Sequence, residues 1–372
     1  MKKNSLQIFS ESFYPATTFG GPIFSLIGLI NDISQDFKVN VFTMNIDNKL
    51  NKKKLTYSEI ENAKTKLGYP IIYSNSYLGR IRLSPVFKYN FIKHYLLGNK
   101  IYIQGFFNWI VLIYAFLSIF YKNKKIIIAP RGSLGRWSIS QKNIKKKIFI
   151  LIIKYLLPEI KFHVTSLEEE KDIQEISKNW ITFICPNQVS FARPKINEKK
   201  KTNDIIAVGR HEKQKGFDIL IKNFLEVEKK RKSLKLFIIG VEGSQTLYLK
   251  QLAKGSKNIK FIDHLSRKEL MEVMQNCLAL FSTSHYENYG NTILEALSCD
   301  ALVVIPSHLP WKHISGFTFQ YNIQYDNISK ILLNIANIKT WHKSKLFLQQ
   351  SFVKKETKLT KDLHLEMISS LD

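Results

Sequence analysis

Short β-rich apolar runs recur along the chain, each followed by a stretch in which apolar residues return every three to four positions. In the first half the runs are LQIFSES, KVNVFT, KIYIQGF, KIIIAPRG, FHVTS and ITFICPN. A Lys-rich interruption, RPKINEKKKTN, follows, and the alternation restarts with DIIAVGR, LKLFIIG, IKFIDH, LALFSTS and ALVVIPS. Near-continuous apolar strands separated by helical segments predict parallel sheets covered by helices on both faces. Two such series predict two doubly wound α/β domains, over residues 1–192 and 203–340. The closing segment, 345–372, has a helical pattern and is expected to pack back on the first domain.

The run IYIQGFFNWIVLIYAFLSIF, residues 101–120, is nearly long enough to span a bilayer. Gln104, Gly105 and Asn108 divide it instead into a short strand, a loop and a buried helix, which keeps the alternation of a parallel sheet.

Ligands of open α/β sheets bind beyond the carboxyl ends of the strands, so the residues following each apolar run carry the candidate chemistry. After the first run, Gly20 and Gly21 let the backbone approach a ligand just before a helix, or form a plain flexible turn. After DIIAVG come Arg210 and Lys215, two cations in one loop, able to grip a diphosphate by a planar fork and a point charge. After LALFSTS comes HYENYGNTILEAL, with Glu287 and Glu295 eight positions apart. On one unbroken helix they would stand roughly 80° apart, at about 100° per residue. Gly290 predicts that the helix starts only there, so Glu287 lies on a loop and Glu295 in the first helical turns. Both carboxylates then border one pocket, and the amides of Asn291, Thr292 and Ile293 face it as a ready anion site. The same residues are equally compatible with a helix-dipole acid and a solvated loop acid.

Composition narrows the partners. In 372 residues, 56 Lys plus Arg stand against 30 Asp plus Glu, a field that attracts nucleic acid, acidic lipid or phosphorylated substrates. Between Lys122 and Lys161 eleven basic residues accompany a single acid, Glu159, and are interleaved with IFILIIKYLL. That pattern suits an anionic membrane surface better than nucleic acid, which calls for exposed aromatics to stack on bases. A helix over 142–157 would set Lys145, Lys146 and Lys147 at headgroups with Ile148, Ile152 and Leu156 inward; the competing fate for these aliphatics is the domain core. Cys185, Cys277 and Cys299 have no metal-ligand spacing and read as buried thiols of a reducing compartment. The start, MKKNSLQIFSESF, makes a poor secretory signal, and cytoplasm is the expected location.

In order, AVGRHEKQKGFDILIKNF, FIIGVEGS, FIDHLSRKELMEVMQNC and HYENYGNTILEALSCDALVVIPS resemble the carboxyl-terminal domain of family 4 glycosyltransferases. IYIQGFF, IIIAPRGSLGRWSISQKNIKKKIF and ICPNQV resemble the subgroup that builds bacterial surface polysaccharides such as O-antigen, capsule and lipopolysaccharide. The resemblance implies the GT-B fold, with two Rossmann-like domains facing across a cleft. It also implies a retaining transfer from a nucleotide-diphosphate sugar, of UDP or GDP type, to a saccharide or lipid-linked saccharide, with no cofactor or metal. By resemblance Arg210 and Lys215 hold the diphosphate and act with Glu287 in catalysis; Glu287 contacts the sugar and Glu295 the ribose. Asn288, Gly290, Asn291, Thr292 and Ile293 complete the donor site, Gly21 lets the first domain close on the diphosphate, and Gln104 and Arg131 are acceptor-side candidates. No Asp-x-Asp occurs in the chain, in keeping with a metal-independent site.

Three positions depart from the family pattern. Gln104 stands where the family has His and cannot act as a base; PNG reads PNQ at Pro186 to Gln188; Asp300 stands where a Gly ends the Glu295 helix, in a place that favours a left-handed backbone. The expected setting is the inner face of the cytoplasmic membrane. The alternatives are a GT-B sugar-nucleotide epimerase and a non-catalytic protein binding anions or nucleic acid.

Overall fold

The structure is a computed structural model that describes residues 5–16, 20–47, 54–76, 84–140, 144–188, 202–263, 265–337 and 343–371. The chain divides into two units, Met1–Ser190 with Lys358–Asp372, and Phe191–Thr357.

The first unit contains β1 (Ser5–Ser10), α1 (Gly21–Ile33), β2 (Lys38–Met44), α2 (Tyr57–Leu67), β3 (Ile71–Ser74), α3 (Pro85–Leu96), β4 (Lys100–Gln104) and α4 (Trp109–Leu117). It continues with β5 (Ile126–Ala129), α5 (Arg136–Ser140), α6 (Ile144–Leu156), β6 (Lys161–Val164), α7 (Leu167–Ile176) and β7 (Ile181–Ile184). Its sheet has the order β3-β2-β1-β4-β5-β6-β7, and the described pairs are all parallel. Alternate residues of each strand enter opposite cores, as the two-residue period of a strand requires: Phe9, Ile103 and Ile128 on one face, Leu6, Ile8, Tyr102 and Ile127 on the other.

The second unit contains β8 (Asp204–Val208), α8 (Phe217–Glu228), β9 (Lys235–Ile239), α9 (Thr246–Leu252), β10 (Ile259–Ile262), α10 (Arg267–Asn276) and β11 (Ala279–Phe281). Then come α11 (Asn291–Ser298), β12 (Leu302–Pro306), β13 (Phe319–Tyr321), α12 (Ile328–Ala336) and the long α13 (Lys343–Ser369). Its sheet runs β10-β9-β8-β11-β12-β13, again parallel. The end of α13 returns to the first unit, where Met367, Ile368 and Leu371 are buried in the core beside α1. At about 1.5–3 kcal/mol for each large apolar side chain withdrawn from water, these three anchor the returning segment.

Eleven of the strands coincide with the apolar runs in the sequence; β3 and β13 do not. Both are short edge strands, of four and three residues. The 101–120 run forms β4, a loop and the nine-residue α4, which Asn108 caps by accepting the amide of Val111 at 3.0 Å. The helix is only half buried, because Trp109 and Phe116 face outward. No described helix is long and apolar enough to cross a membrane.

Candidate active site

Each sheet reverses its strand order once, between β1 and β4 and between β8 and β11, and it is at the strand carboxyl ends beside such a reversal that open α/β sheets have their ligand-binding crevice. In the second unit both flanking loops carry predicted residues. After β8 the chain passes Arg210, which is exposed, and makes a single 3-10 turn, Lys213–Lys215, closed by Gly216 at φ 60°. A Cβ on Gly216 would stand 2.2 Å from the Thr283 carbonyl oxygen, so glycine is what lets this loop touch the one after β11.

The two loops are stitched together. Thr283 Oγ1 donates to the carbonyls of Gly216 (2.9 Å) and Lys215 (3.2 Å), the amide of His285 donates to Gln214 (2.9 Å), and Gln214 Nε2 donates to Tyr286 (2.7 Å). The product of this stitching is an ion pair: Lys215 Nζ lies 2.5 Å from Glu287 Oε1, which also accepts from Ser284 Oγ at 2.7 Å. Both side chains are mostly shielded, at 19% and 12% exposed, so their attraction is far less damped than on an open surface.

Helix α11 begins where Gly290 was expected to start it, with φ 86° at that glycine. The strand-side packing is tight, since a Cβ there would meet Ile293 Cδ1 at 2.9 Å and Trp311 Nε1 at 3.1 Å. Of the three amides expected to face an anion, that of Ile293 is already taken by the Gly290 carbonyl at 2.9 Å, because the first turn is wound tightly enough to close an i to i−3 bond. The amide site is therefore narrower than the sequence suggested. Asn288, Asn291 and Thr292 are half buried at the same loop-to-helix junction.

Glu295 is buried and meets Arg267, the first residue of α10, in a close ion pair. Burial pulls the Arg267 guanidinium below its usual range, and the Glu295 carboxylate opposes that pull. Sequence reasoning missed Arg267. The available signal was its place, one residue past the Ser266 cap of the helix that follows β10, hence at a strand carboxyl end like the other candidates. Asp300 holds the left-handed backbone inferred for it, at φ 57°, and its carboxylate accepts from Gln350 Nε2 at 3.1 Å.

In the first unit Gly20 caps α1 at φ 78° and Gly21 is its first residue. Gln104 ends β4, opposite Ser10 of β1; its Nε2 donates to the Pro22 carbonyl at 3.0 Å, and its buried Oε1 has no hydrogen-bond partner among the described residues. Arg131 turns its fork into the fold. At φ 54°, its fork reaches Asn187 Oδ1 (2.7 Å) and the Tyr102 hydroxyl (2.8 Å). Since that hydroxyl accepts from Arg131, its own proton goes to His163 Nδ1 at 2.8 Å, and His163 Nε2–H donates to the Cys185 carbonyl at 2.9 Å. Burial and the Arg131 charge hold His163 well below its ordinary pKa, which fits this neutral tautomer. Gln188, where the family has Gly, donates to both oxygens of Asp32 at 3.1 and 3.2 Å, and Asp32 also accepts from His364 Nδ1 of α13 at 2.7 Å.

Residues 188–314 match the family model described as glycosyl transferases group 1, which spans the β8 and β11 loops and α11. No curated protein matches the chain. Solved structures with the same fold include HepE of Anabaena in complex with UDP and glucose, at TM-score 0.73 and 13% identity, covering 99% of this chain and 100% of that one. Sucrose-phosphate synthase of Thermosynechococcus elongatus aligns at TM-score 0.69 and 16% identity over 99% and 100%. The lipopolysaccharide outer core galactosyltransferase WaaB aligns at 0.58 and 14% over 99% and 98%. The two parallel sheets are thus the two Rossmann-like domains of a GT-B fold, and residues 188–314, lying mostly within the second of them, form a domain of the glycosyl transferases group 1 type.

Proposed function

We propose that this enzyme moves a sugar, with retention and without a metal, from a nucleoside diphosphate to a saccharide or lipid-linked saccharide in bacterial surface polysaccharide synthesis. The observation that carries the reading is the Lys215–Glu287 pair, built by stitched loops at the β8/β11 crevice. Glycosyl transfer develops positive charge on the sugar and negative charge on the leaving diphosphate, so it needs a carboxylate beside the one and cations beside the other. Lys215 and exposed Arg210 supply the cations, with the start of α11 behind them. Glu287 supplies the carboxylate, and donor binding draws Lys215 onto the phosphate so that Glu287 is released to the sugar.

Glu295, oriented by Arg267, takes the ribose hydroxyls. Gln104, whose Oε1 is buried and unmatched, accepts a hydroxyl proton from the acceptor as a hydrogen-bond partner rather than as a base. The enzyme works as a peripheral protein on the inner face of the cytoplasmic membrane, where lipid-linked acceptors reside. The donor is a UDP- or GDP-sugar, which HepE's complex with UDP supports by analogy. A panel of sugar nucleotides tests the reading by thermal stabilisation, since a ligand at 100 times its dissociation constant adds about 2.7 kcal/mol. Stabilisation by none of the UDP- or GDP-sugars would overturn it.

A further inference from the structure

Helices α3, α4 and α6 are neighbours on one side of the first sheet, α3 packing on α4 and α4 on α6. Each turns an apolar stripe outward at helical spacing. On α6 the exposed residues are Ile144, Ile148, Leu151, Ile152 and Tyr155, while Ile150 and Ile153 fill the core. On α3 they are Val86, Tyr89 and Leu96; on α4 and its end, Trp109, Phe116, Ile119 and Phe120. Leu151 is 65% exposed and Tyr155 86%. Ile148 and Ile152 point away from the core, as a membrane-facing helix requires, whereas Leu156 packs against the core and Lys146 turns aside to Ser138 and the Phe107 ring, so the expectation is corrected at those two positions.

The charge around this face is one-sided. Between Glu61 and Glu159 the chain has no Asp or Glu, yet it has seventeen Lys and Arg. Lys93, Lys122, Lys124, Lys145, Lys147 and Lys154 are exposed on or beside the three helices, and Lys88 lies 4.7 Å over the Trp109 ring, joining α3 to α4. A patch of this breadth is unusual for a lone soluble surface.

We propose that the α3/α4/α6 face is a membrane-insertion surface whose Ile, Leu and aromatic side chains enter the acyl boundary of an anionic bilayer while the flanking lysines sit at the headgroups. Complementary charge selects this occupant. A second copy of the chain would bring two positive faces together, and nucleic acid, although Tyr89, Trp109, Phe116, Phe120 and Tyr155 offer it rings, would leave the aliphatic stripe Ile144, Ile148, Leu151 and Ile152 without a partner. The inference deepens the peripheral location proposed above and rests on it. It differs from purely electrostatic docking in predicting that part of the binding survives salt, because burial of apolar area is not screened.

Co-sedimentation of the full chain with phosphatidylglycerol-containing and with pure phosphatidylcholine vesicles tests it. The expected result is binding to the anionic vesicles that weakens in high salt without vanishing. Ile148→Ser, Leu151→Ser and Tyr155→Ser combined lower the bound-to-free ratio roughly tenfold or more at every salt concentration. Lys145→Gln with Lys147→Gln lowers it at low salt alone. All five residues are exposed, so unchanged melting temperatures are expected to show intact folding. No vesicle binding, equal binding to both vesicle types, wild-type binding by the triple variant, or self-association that the triple variant abolishes would each overturn the proposal. Stabilisation by nucleoside diphosphate is read in parallel. Vesicle binding without it would sink the transferase site assignment and leave the membrane face standing, and the converse result would do the reverse.

Discussion

Replacing Lys215 separates what the Lys215–Glu287 pair does for the fold from what it does in catalysis. The nitrogen and oxygen are 2.5 Å apart and the side chains 19% and 12% exposed, so the bond is a charge-assisted one in a shielded setting. Such a bond contributes about 1.5–3 kcal/mol. Lys215→Ala removes it and leaves the Glu287 carboxylate shielded with only the Ser284 hydroxyl to answer it. The expected loss is therefore about 1.5–3 kcal/mol, or a fall in melting temperature of roughly 3–12 °C at about 2–4 °C per kcal/mol. Adding Glu287→Gln removes the orphaned charge and is expected to restore part of that loss, so the two changes couple favourably in stability. Turnover follows the opposite rule. With Lys215 on the leaving diphosphate and Glu287 on the sugar, each single change costs about 10- to 150-fold, and the double variant falls further. The assay is scanning calorimetry beside steady-state transfer from the stabilising sugar nucleotide. If Glu287→Gln rescued turnover in the Lys215→Ala background along with the melting temperature, the pair would be only a brace between loops, and the reasoning would be wrong.

Arg210→Ala is expected to cost about 10- to 150-fold in kcat/KM with no change in melting temperature, because its exposed side chain has no ion-pair partner among the described residues; wild-type kinetics would exclude it from the diphosphate site. Arg267→Ala leaves Glu295 buried and unpaired, so it should weaken binding of free nucleoside diphosphate about tenfold or more by calorimetry, with partial recovery in Arg267→Lys. Unaltered affinity would show that Glu295 does not touch the nucleotide. Acid stability offers a check on the first unit. Because burial depresses the His163 pKa, the unfolded chain takes up a proton near 6.5 that the folded chain refuses, so stability is full above that pH and declines as pH falls below it. The slope approaches about 1.4 kcal/mol per pH unit for one such group; because burial also lowers His94, His211, His285 and His364, the expected outcome for His163→Gln is a shallower fall in melting temperature between about pH 6.5 and 5 than in the wild type, and an unchanged slope would refute it.

The sequence displayed what depends on local chemistry. Eleven strands were legible because each lies within an apolar run bounded by polar or turn residues, and the start of α11 was legible because a glycine accepts φ 86° at Gly290 without strain. β3 and β13, each paired to a single neighbour, stand outside those runs and were not. Side-chain partners were the least legible feature. Arg267 reaches Glu295 across 28 positions, and Lys215 reaches Glu287 across 72, distances along the chain that no periodicity records.

The same limit explains why the cations of the two units take different parts. Arg131 and Arg210 each follow a strand carboxyl end in a basic chain, and sequence position alone makes them equal candidates for an anionic ligand. Arg131 donates to the Tyr102 hydroxyl of β4 and to Asn187 of the segment after β7, with His163 of β6 bonded in turn to Tyr102, so its fork is committed to fixing those elements. Arg210 has no such partner among the described residues and stays exposed at the mouth of the β8/β11 crevice, beside a Lys215 already answered by Glu287. An unspent cation next to a balanced pair leaves that corner with net positive charge, which is what a dianionic leaving group requires. Substitution of Arg131 should accordingly lower the melting temperature of the protein, whereas substitution of Arg210 should lower only its activity.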